Sequence, residues 1–208
     1  MLDGPLRRVL AGPLDATARI LDRPGITPDG LTLAGLALGL ASAALAAAQL
    51  WGWALALWLI SRVIDGLDGA LARRRRAAGR GSTGEAGGFL DITADFVVYG
   101  AGVLGVAFGA TAGFGAAWWP FMLVLLAYYV NGAAFLAFSS IAERTGRTID
   151  DGRSLSFLGR IAEGTETIVV HSLWLLLPFW SEPIAVVWAI IVGMSAVQRV
   201  VVGYRALR

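Results

Sequence analysis

Four aspartates stand where carboxylates are costly. Asp65 and Asp68 are three residues apart, and Asp91 and Asp95 are four apart, each pair set in a long apolar stretch. A charged side chain at mid-bilayer costs about 2.5–3.5 kcal/mol on insertion scales, so four in neighbouring stretches demand a reason. On a helix, either spacing puts both members of a pair on one face. A single loop joins the two stretches, so they can run antiparallel with these faces opposed. Gly66 and Gly69 flank the first pair, and Gly87 and Gly88 precede the second. Small residues there leave room for a ligand or a metal near the backbone. Converging carboxylates without partners repel one another and largely protonate. Divalent ions remove that conflict, because carboxylate oxygens are preferred ligands of Mg²⁺ and Mn²⁺. Two such ions roughly 3.5–4 Å apart can grip a pyrophosphate and stabilise both the attacking and the leaving oxygen. The plain alternative is ion pairing inside a helix bundle, for example Asp65 with Arg62 one turn earlier.

The elements that must position these groups are membrane helices. Of the 208 residues, 57% are hydrophobic, against roughly 45–50% in an ordinary soluble domain. Six spans are predicted, at about 31–49, 51–72, 88–110, 116–142, 158–179 and 183–204, each near the ~20 apolar residues that cross a bilayer core. The expected fold is an all-α membrane protein in one domain, residues 1–208, with residues 1–25 as a juxtamembrane amphipathic segment. That segment mixes Arg7, Arg8 and Arg19 with Leu2, Leu6, Leu10 and Leu14. It lacks the apolar core of a cleavable signal and reads as a helix lying on the membrane surface. Pro28 and Asp29 suit the start of the first span. Gly35 and Gly39, like Gly105 and Gly109, offer close helix packing. Thiol chemistry and disulfides are excluded, since cysteine is absent.

All 17 basic residues are arginine, and their placement sets the orientation. They cluster before the first span, at Arg73 to Arg76 and Arg80, between Arg144 and Arg160, and at Arg205 and Arg208. The three opposite turns, rich in Trp, have none. By the positive-inside rule both termini and the Arg-rich loops face the cytoplasm. Arg74 to Arg76 enforce that topology and can attract anionic lipid head groups; a short basic run fixed at a membrane is not expected to bind nucleic acid.

From Asp65 the chain reads D-G-L-D-G-A-L-A-R, and later G-G-F-L-D-I-T-A-D. This resembles the signature of the CDP-alcohol phosphatidyltransferase family, D-x2-D-G-x2-A-R, a spacer, then G-x3-D-x3-D. Asp65, Asp68, Gly69, Ala72, Arg73, Gly87, Asp91 and Asp95 fill every fixed position in order. The entry Pro28-Asp29-Gly30-Leu31-Thr32 is also similar to the family, although many relatives carry Asn at the position of Asp29. The spacer, thirteen residues from 74 to 86, exceeds the usual length and reads as a longer cytoplasmic loop.

The resemblance implies a reaction and a site. A CDP-linked lipid, usually CDP-diacylglycerol, gives its phosphatidyl group to an alcohol and releases CMP. Two divalent ions, Mg²⁺ or Mn²⁺, are implied, with Asp65, Asp68 and Asp91 as ligands. Asp95 would touch the second ion and act as general base. Arg73 would bind a phosphate, which suits its planar fork. Gly69 and Ala72 would leave space for the cytidine beside Asp68, with Asp29 and Thr32 closing the nucleotide pocket. The family also implies a homodimer among membrane lipids, here in a bacterial inner membrane with the active site on the cytoplasmic side.

A second polar concentration holds Arg153, Arg160, Glu163, Thr165, Glu166, Thr167 and His171. Arg153 and Arg160 can bind a phosphate on the acceptor. Glu163 and Glu166, on one helix face, can hydrogen-bond a polyol or pair with an amino alcohol. The bland reading is helix anchoring by Arg160 and glutamate pairing with it, Arg62 or Arg199. His171 reads best as a hydrogen-bonded core residue. Two rival functions remain. Intramembrane aspartates also mark ion pathways, but these four lie towards one membrane side. A binding scaffold without catalysis is the other, and the complete signature argues against it.

Overall fold

A computed structural model describes residues 3–80, 85–146 and 164–208. Among them the chain is helical, with no strand. The helices are α1 (Asp3–Leu21), α2 (Pro28–Ala47), α3 (Trp51–Ala77), α4 (Glu85–Phe114), α5 (Trp119–Thr145), α6 (Gly164–Leu176) and α7 (Ser181–Leu207), with a 3₁₀ turn at Pro178–Trp180. The entry to α2 follows from local chemistry: Thr27 caps it by accepting from the Gly30 amide at 3.0 Å, and Pro28 occupies the first turn, where its missing N–H costs nothing. Gly146 stops α5 in the left-handed region, at φ 68°, as a residue without Cβ does most readily.

Four helical segments are long and apolar enough to cross a membrane: Pro28–Ala47, Glu85–Phe114, Trp119–Thr145 and Pro178–Leu207. With 27 residues, α3 reaches about 40 Å at 1.5 Å per residue, but Arg62, Asp65, Asp68 and the terminal arginines dilute its apolar character. The first turn of α6 adjoins the undescribed 147–163 segment, so the start of the predicted 158–179 span lies outside the described residues.

The expected longer loop after Arg73 is helical at both of its ends. Helix α3 continues to Ala77 and α4 begins by Glu85. The reason is visible at Asp22, after α1. Arg75 and Arg80 reach its two carboxylate oxygens at 3.0 and 2.7 Å, with Arg74 at 3.6 Å. Arg75 also donates to the Ile26 carbonyl at 2.7 Å. These bonds extend the last turns of α3 beneath α1. On the same side, Leu14 and Ala18 of α1 pack on Ala70 and Leu71 of α3.

Close approach of α2 and α4 sets the frame of the site. A Cβ on Gly105 would collide with the Ala43 carbonyl, one on Gly109 with the Ala46 carbonyl, and one on Gly39 with the Val98 side chain. Gly39, Gly105 and Gly109 thus serve the α2–α4 interface, while Gly35 faces α3 at the Ser61 carbonyl and Asp65 amide. Small hydroxyls tie α2 to α3: Ser61 Oγ donates to the Gly35 carbonyl and Ser42 Oγ to the Ala54 carbonyl, each at 2.7 Å. The main core joins Trp58 of α3, Val98, Val103 and Val106 of α4, Phe121 of α5, Trp174 of α6 and Trp188 of α7. Outward lie large apolar side chains such as Ile60, Phe108, Leu126, Val187 and Val197, a surface suited to lipid and too apolar for water.

Candidate active site

Helices α3 and α4 bring three of the four aspartates together. One carboxylate oxygen each from Asp65, Asp68 and Asp91 lie within 4.8 Å of one another. Asp68 is buried, and its Oδ2 accepts a 2.5 Å hydrogen bond from Thr32 Oγ1 on α2. Thr32, expected from the sequence to line a nucleotide pocket, is placed beside the aspartates and orients Asp68. Asp29, exposed on the first turn of α2, approaches α4 at Gly87, where its Oδ1 would be 3.2 Å from an added Cβ.

Asp95 is held differently. Its Oδ1 receives Arg62 Nη1 at 2.6 Å, while the same nitrogen lies 3.7 Å from Asp65 Oδ1. The pairing of Arg62 with Asp65 expected from their spacing is therefore the weaker contact, and the strong one runs between helices. Sequence spacing carries no signal for it, since Arg62 and Asp95 are far apart in the chain. Four carboxyl groups face one guanidinium, so acidic groups outnumber the cation that could balance them. Hard oxygen donors converging with that excess fit Mg²⁺ or Mn²⁺.

Arg73, at the outer end of the aspartate face, lies over Gly69: its Nη1 would be 3.1 Å from a Cβ there. Ala72 is half-buried beside it. Gly69 thus admits an exposed guanidinium next to the carboxylates. Of the expected acceptor group, Arg153, Arg160 and Glu163 lie outside the described residues, and Glu166 is half-buried in the first turn of α6. His171 is buried, stacked on Trp58 with ring centroids 4.9 Å apart. Its Nε2 is 3.1 Å from the Tyr128 hydroxyl, which accepts from the Trp188 indole at 2.7 Å. Gly102 makes the room for its ring, an added Cβ lying 3.0 Å from Nδ1. His171 is therefore a hydrogen-bonded member of the aromatic core.

Comparison with known proteins gives this geometry its context. A family model described as CDP-alcohol phosphatidyltransferase matches residues 25–200. The chain is 37% identical over 214 residues to the Inner membrane protein YnjF of Escherichia coli (strain K12), covering 100% of this chain and 98% of that one. Among solved structures it resembles phosphatidylinositol phosphate synthase (PgsA1) of Mycobacterium tuberculosis with CDP-DAG bound. There the TM-score is 0.62 at 24% identity, covering 93% of this chain and 91% of the other. The same enzyme in complex with manganese and citrate gives a TM-score of 0.64, again at 24% identity, covering 93% of this chain and 88% of that one. With the matched region spanning most of its length, the chain belongs to the CDP-alcohol phosphatidyltransferase family.

Proposed function

We propose that this protein transfers a phosphatidyl group from a CDP-linked lipid, CDP-diacylglycerol or a close analogue, to an alcohol and releases CMP. The observation that carries the reading is the gathering of Asp65, Asp68 and Asp91 from two helices within an apolar bundle. An acidic cluster in such a setting is costly unless it binds cations.

Asp65, Asp68 and Asp91 would hold the divalent ions, two in number, with Asp95 beside the second. Such ions supply charge neutralisation for the diphosphate and for the oxygens that attack and leave. The remaining work falls to the chain. Arg73 would hold a donor phosphate with its planar fork, while Gly69 and Ala72 leave a shallow face for the cytidine. Thr32 fixes Asp68, and Asp29 marks the approach from α2. The acceptor hydroxyl oxygen attacks the phosphorus that bears the lipid, and its proton passes to Asp95 as general base. The phosphorus–oxygen bond to CMP breaks as the new one forms, and CMP departs with that oxygen. Arg153, Arg160, Glu163 and Glu166 are assigned to the acceptor side on their sequence grouping.

The topology proposed with this activity is a single domain of six spans, residues 1–208, in the inner membrane. Helix α1 lies on the cytoplasmic surface, and the family's homodimer is carried over. The arginine-rich end of α3, and Arg144 in the last turn of α5, support that orientation.

Metal-dependent release of CMP from CDP-diacylglycerol is the direct test. Purified protein in detergent receives Mg²⁺ or Mn²⁺ and, in turn, glycerol 3-phosphate, inositol phosphate, inositol, serine, choline or ethanolamine. Stimulation by one acceptor, lost in Asp95→Asn, supports transfer and names the alcohol. If no acceptor stimulates release, and CDP-diacylglycerol with metal leaves Tm unchanged, the donor assignment is wrong. Divalent-cation passage in proteoliposomes then becomes the reading to pursue.

A further inference from the structure

A polar cavity of about 340 Å³ lies at the edge of the bundle, lined by Asp15 of α1, Arg74 and Ala77 at the end of α3, and Ala78 and Arg80 beyond it. It is separate from the aspartate cluster. Arg74 follows Asp65 by about two and a half helical turns, so it stands on the opposite side of α3 from that carboxylate. Its partners are poorly placed. Asp22 already receives Arg75 and Arg80 at 3.0 and 2.7 Å, one on each carboxylate oxygen. Arg74 comes third, 3.6 Å from Asp22 and 3.9 Å from Asp15, beyond hydrogen-bond reach of both. Its Nε is buried and donates to no partner among the described residues. A buried donor left without a hydrogen bond costs free energy, and a ligand in the cavity can supply the missing acceptor.

Charge makes that ligand an anion. Asp15 is held by Arg19 at 3.4 Å, so Arg19, Arg74, Arg75 and Arg80 together face only Asp15 and Asp22. Planar guanidinium forks suit phosphate oxygens. Depth makes the ligand a lipid. Helix α3 starts at Trp51, in an aromatic turn of the kind found at a bilayer interface. From there to Arg74 the helix runs about 35 Å at 1.5 Å per residue, against a hydrocarbon core about 30 Å thick. The cavity therefore lies just beyond the hydrocarbon, where lipid phosphates are. Its mouth is formed by Ala77, Ala78 and Arg80, all exposed. Helix α1 also exposes Val9 and Ile20, about three turns apart and so on one face, which suits contact with lipid tails.

We propose that this cavity binds the phosphate of an anionic phospholipid, with Arg74 and Arg80 gripping its oxygens while the acyl chains stay in the bilayer beside α1. The sequence alone suggests only a diffuse attraction by the run Arg74 to Arg76; the cavity singles out Arg74 and brings in Arg80. A lipid held there fastens α1 to the membrane and stands apart from any lipid reacting at the aspartates. A soluble phosphate offers the same oxygens without the tails, and the test separates the two sources. The site needs neither metal nor turnover, so it stands or falls independently of the transferase reading.

The full chain in neutral detergent is titrated with phosphatidylglycerol, phosphatidylcholine or inorganic phosphate. EDTA is present throughout, so that no ion at the aspartates can recruit phosphate. Native mass spectrometry counts bound lipid, and the rise in Tm follows saturation. Phosphatidylglycerol should fill one tight site per chain and raise Tm. Phosphatidylcholine should bind about tenfold more weakly, because its head group brings a cation towards the arginines. Inorganic phosphate should displace phosphatidylglycerol only at far higher concentration. Arg74→Gln should weaken phosphatidylglycerol about tenfold, the scale of one hydrogen bond to a charged group. Arg76→Gln removes the same charge from the same run but outside the cavity. It should cost less than about twofold at about 0.15 M salt, where exposed charges are screened.

Equal losses in Arg74→Gln and Arg76→Gln would overturn the proposal, since the arginines would then attract lipid as a diffuse charge. Inorganic phosphate competing as well as the lipid would overturn it too, by making this a site for a soluble anion. Should Arg74→Gln not fold, Ala77→Glu decides. That variant sets a carboxylate in the mouth of the cavity at an exposed position and must remove the tight site. Phosphatidylglycerol bound as tightly as by the wild type would sink the idea.

Discussion

Two arginine–aspartate groups in this molecule use the same chemistry to different ends. At Asp22, three arginines of α3 and the turn after it converge on one carboxylate at the edge of the bundle. At Asp95, one arginine serves a carboxylate among three more, inside the bundle and boxed by aromatic rings. The first group has cations in excess and ties α1 to α3. The second has anions in excess and so retains the capacity to bind metal. What separates a clasp from a reactive site here is the sign of the unbalanced charge, and the residue types are the same.

The sharpest way to probe that contrast is to remove one anion from the buried group. Asp68→Asn takes a ligand from the cluster while keeping the shape and the bond from Thr32. It should lower metal-dependent CMP release by more than about a thousandfold, since metal stabilisation of transferring phosphates is worth several kcal/mol. Wild-type turnover in this variant would mean that the cluster is not the reactive site. Next comes Thr32→Val, which preserves volume but strips Asp68 of its 2.5 Å hydrogen bond. Outer partners of metal ligands contribute about 10–100-fold in affinity or activity, and a Mn²⁺ titration should find a weakening in that range.

The outer group should respond far less. Asp22→Asn is expected to lower Tm by a few degrees and to leave turnover within about twofold, because Asn keeps the shape, the Arg74 and Arg80 side chains it leaves behind still reach water, and Asp22 is no part of the aspartate cluster. A large loss of turnover would erase the distinction between the two groups. The pH dependence should be smaller still. The Arg80 and Arg75 hydrogen bonds hold the Asp22 carboxyl below the usual carboxylate range. Its contribution is therefore complete above the unfolded value of about 3.9 and fades as pH falls through the lower folded value. Limited proteolysis of α1 should accelerate only below about pH 4, and acceleration already at pH 6 would argue against Asp22 as the tie.

The reactive group is far more legible in the sequence than the clasp. Asp65 with Asp68, and Asp91 with Asp95, are local pairs whose spacing alone fixes a shared face, so their convergence follows from helix geometry and one connecting loop. Gly35, Gly39, Gly105 and Gly109 likewise announce close packing, although not that Gly39, Gly105 and Gly109 meet at one α2–α4 interface while Gly35 faces α3. Partner choice is hidden. Arg62 is three residues from Asp65 and could bridge it locally, and only the tertiary approach of α4 decides for Asp95. The extension of α3 is hidden for the same reason: Arg74 and Arg75 read as a loop until Asp22, far away in sequence, supplies the anion that extends the helix. The bond from Thr32 to Asp68 is hidden too, because nothing local shows that Asp68 stands opposite it.

The contacts of Gly105 and Gly109 with the α2 carbonyls have one more consequence. Where side chains separate two helices, their spacing can drift as rotamers change; here backbone meets backbone and no soft layer intervenes. The helix that carries Thr32 and the helix that carries Asp91 and Asp95 thus form a single stiff strut. Its carboxylates inherit the tolerance of a peptide contact, tighter than that of a packed side chain. A methyl group added at Gly105 would act as a wedge, felt at the aspartates roughly 20 Å away along α4.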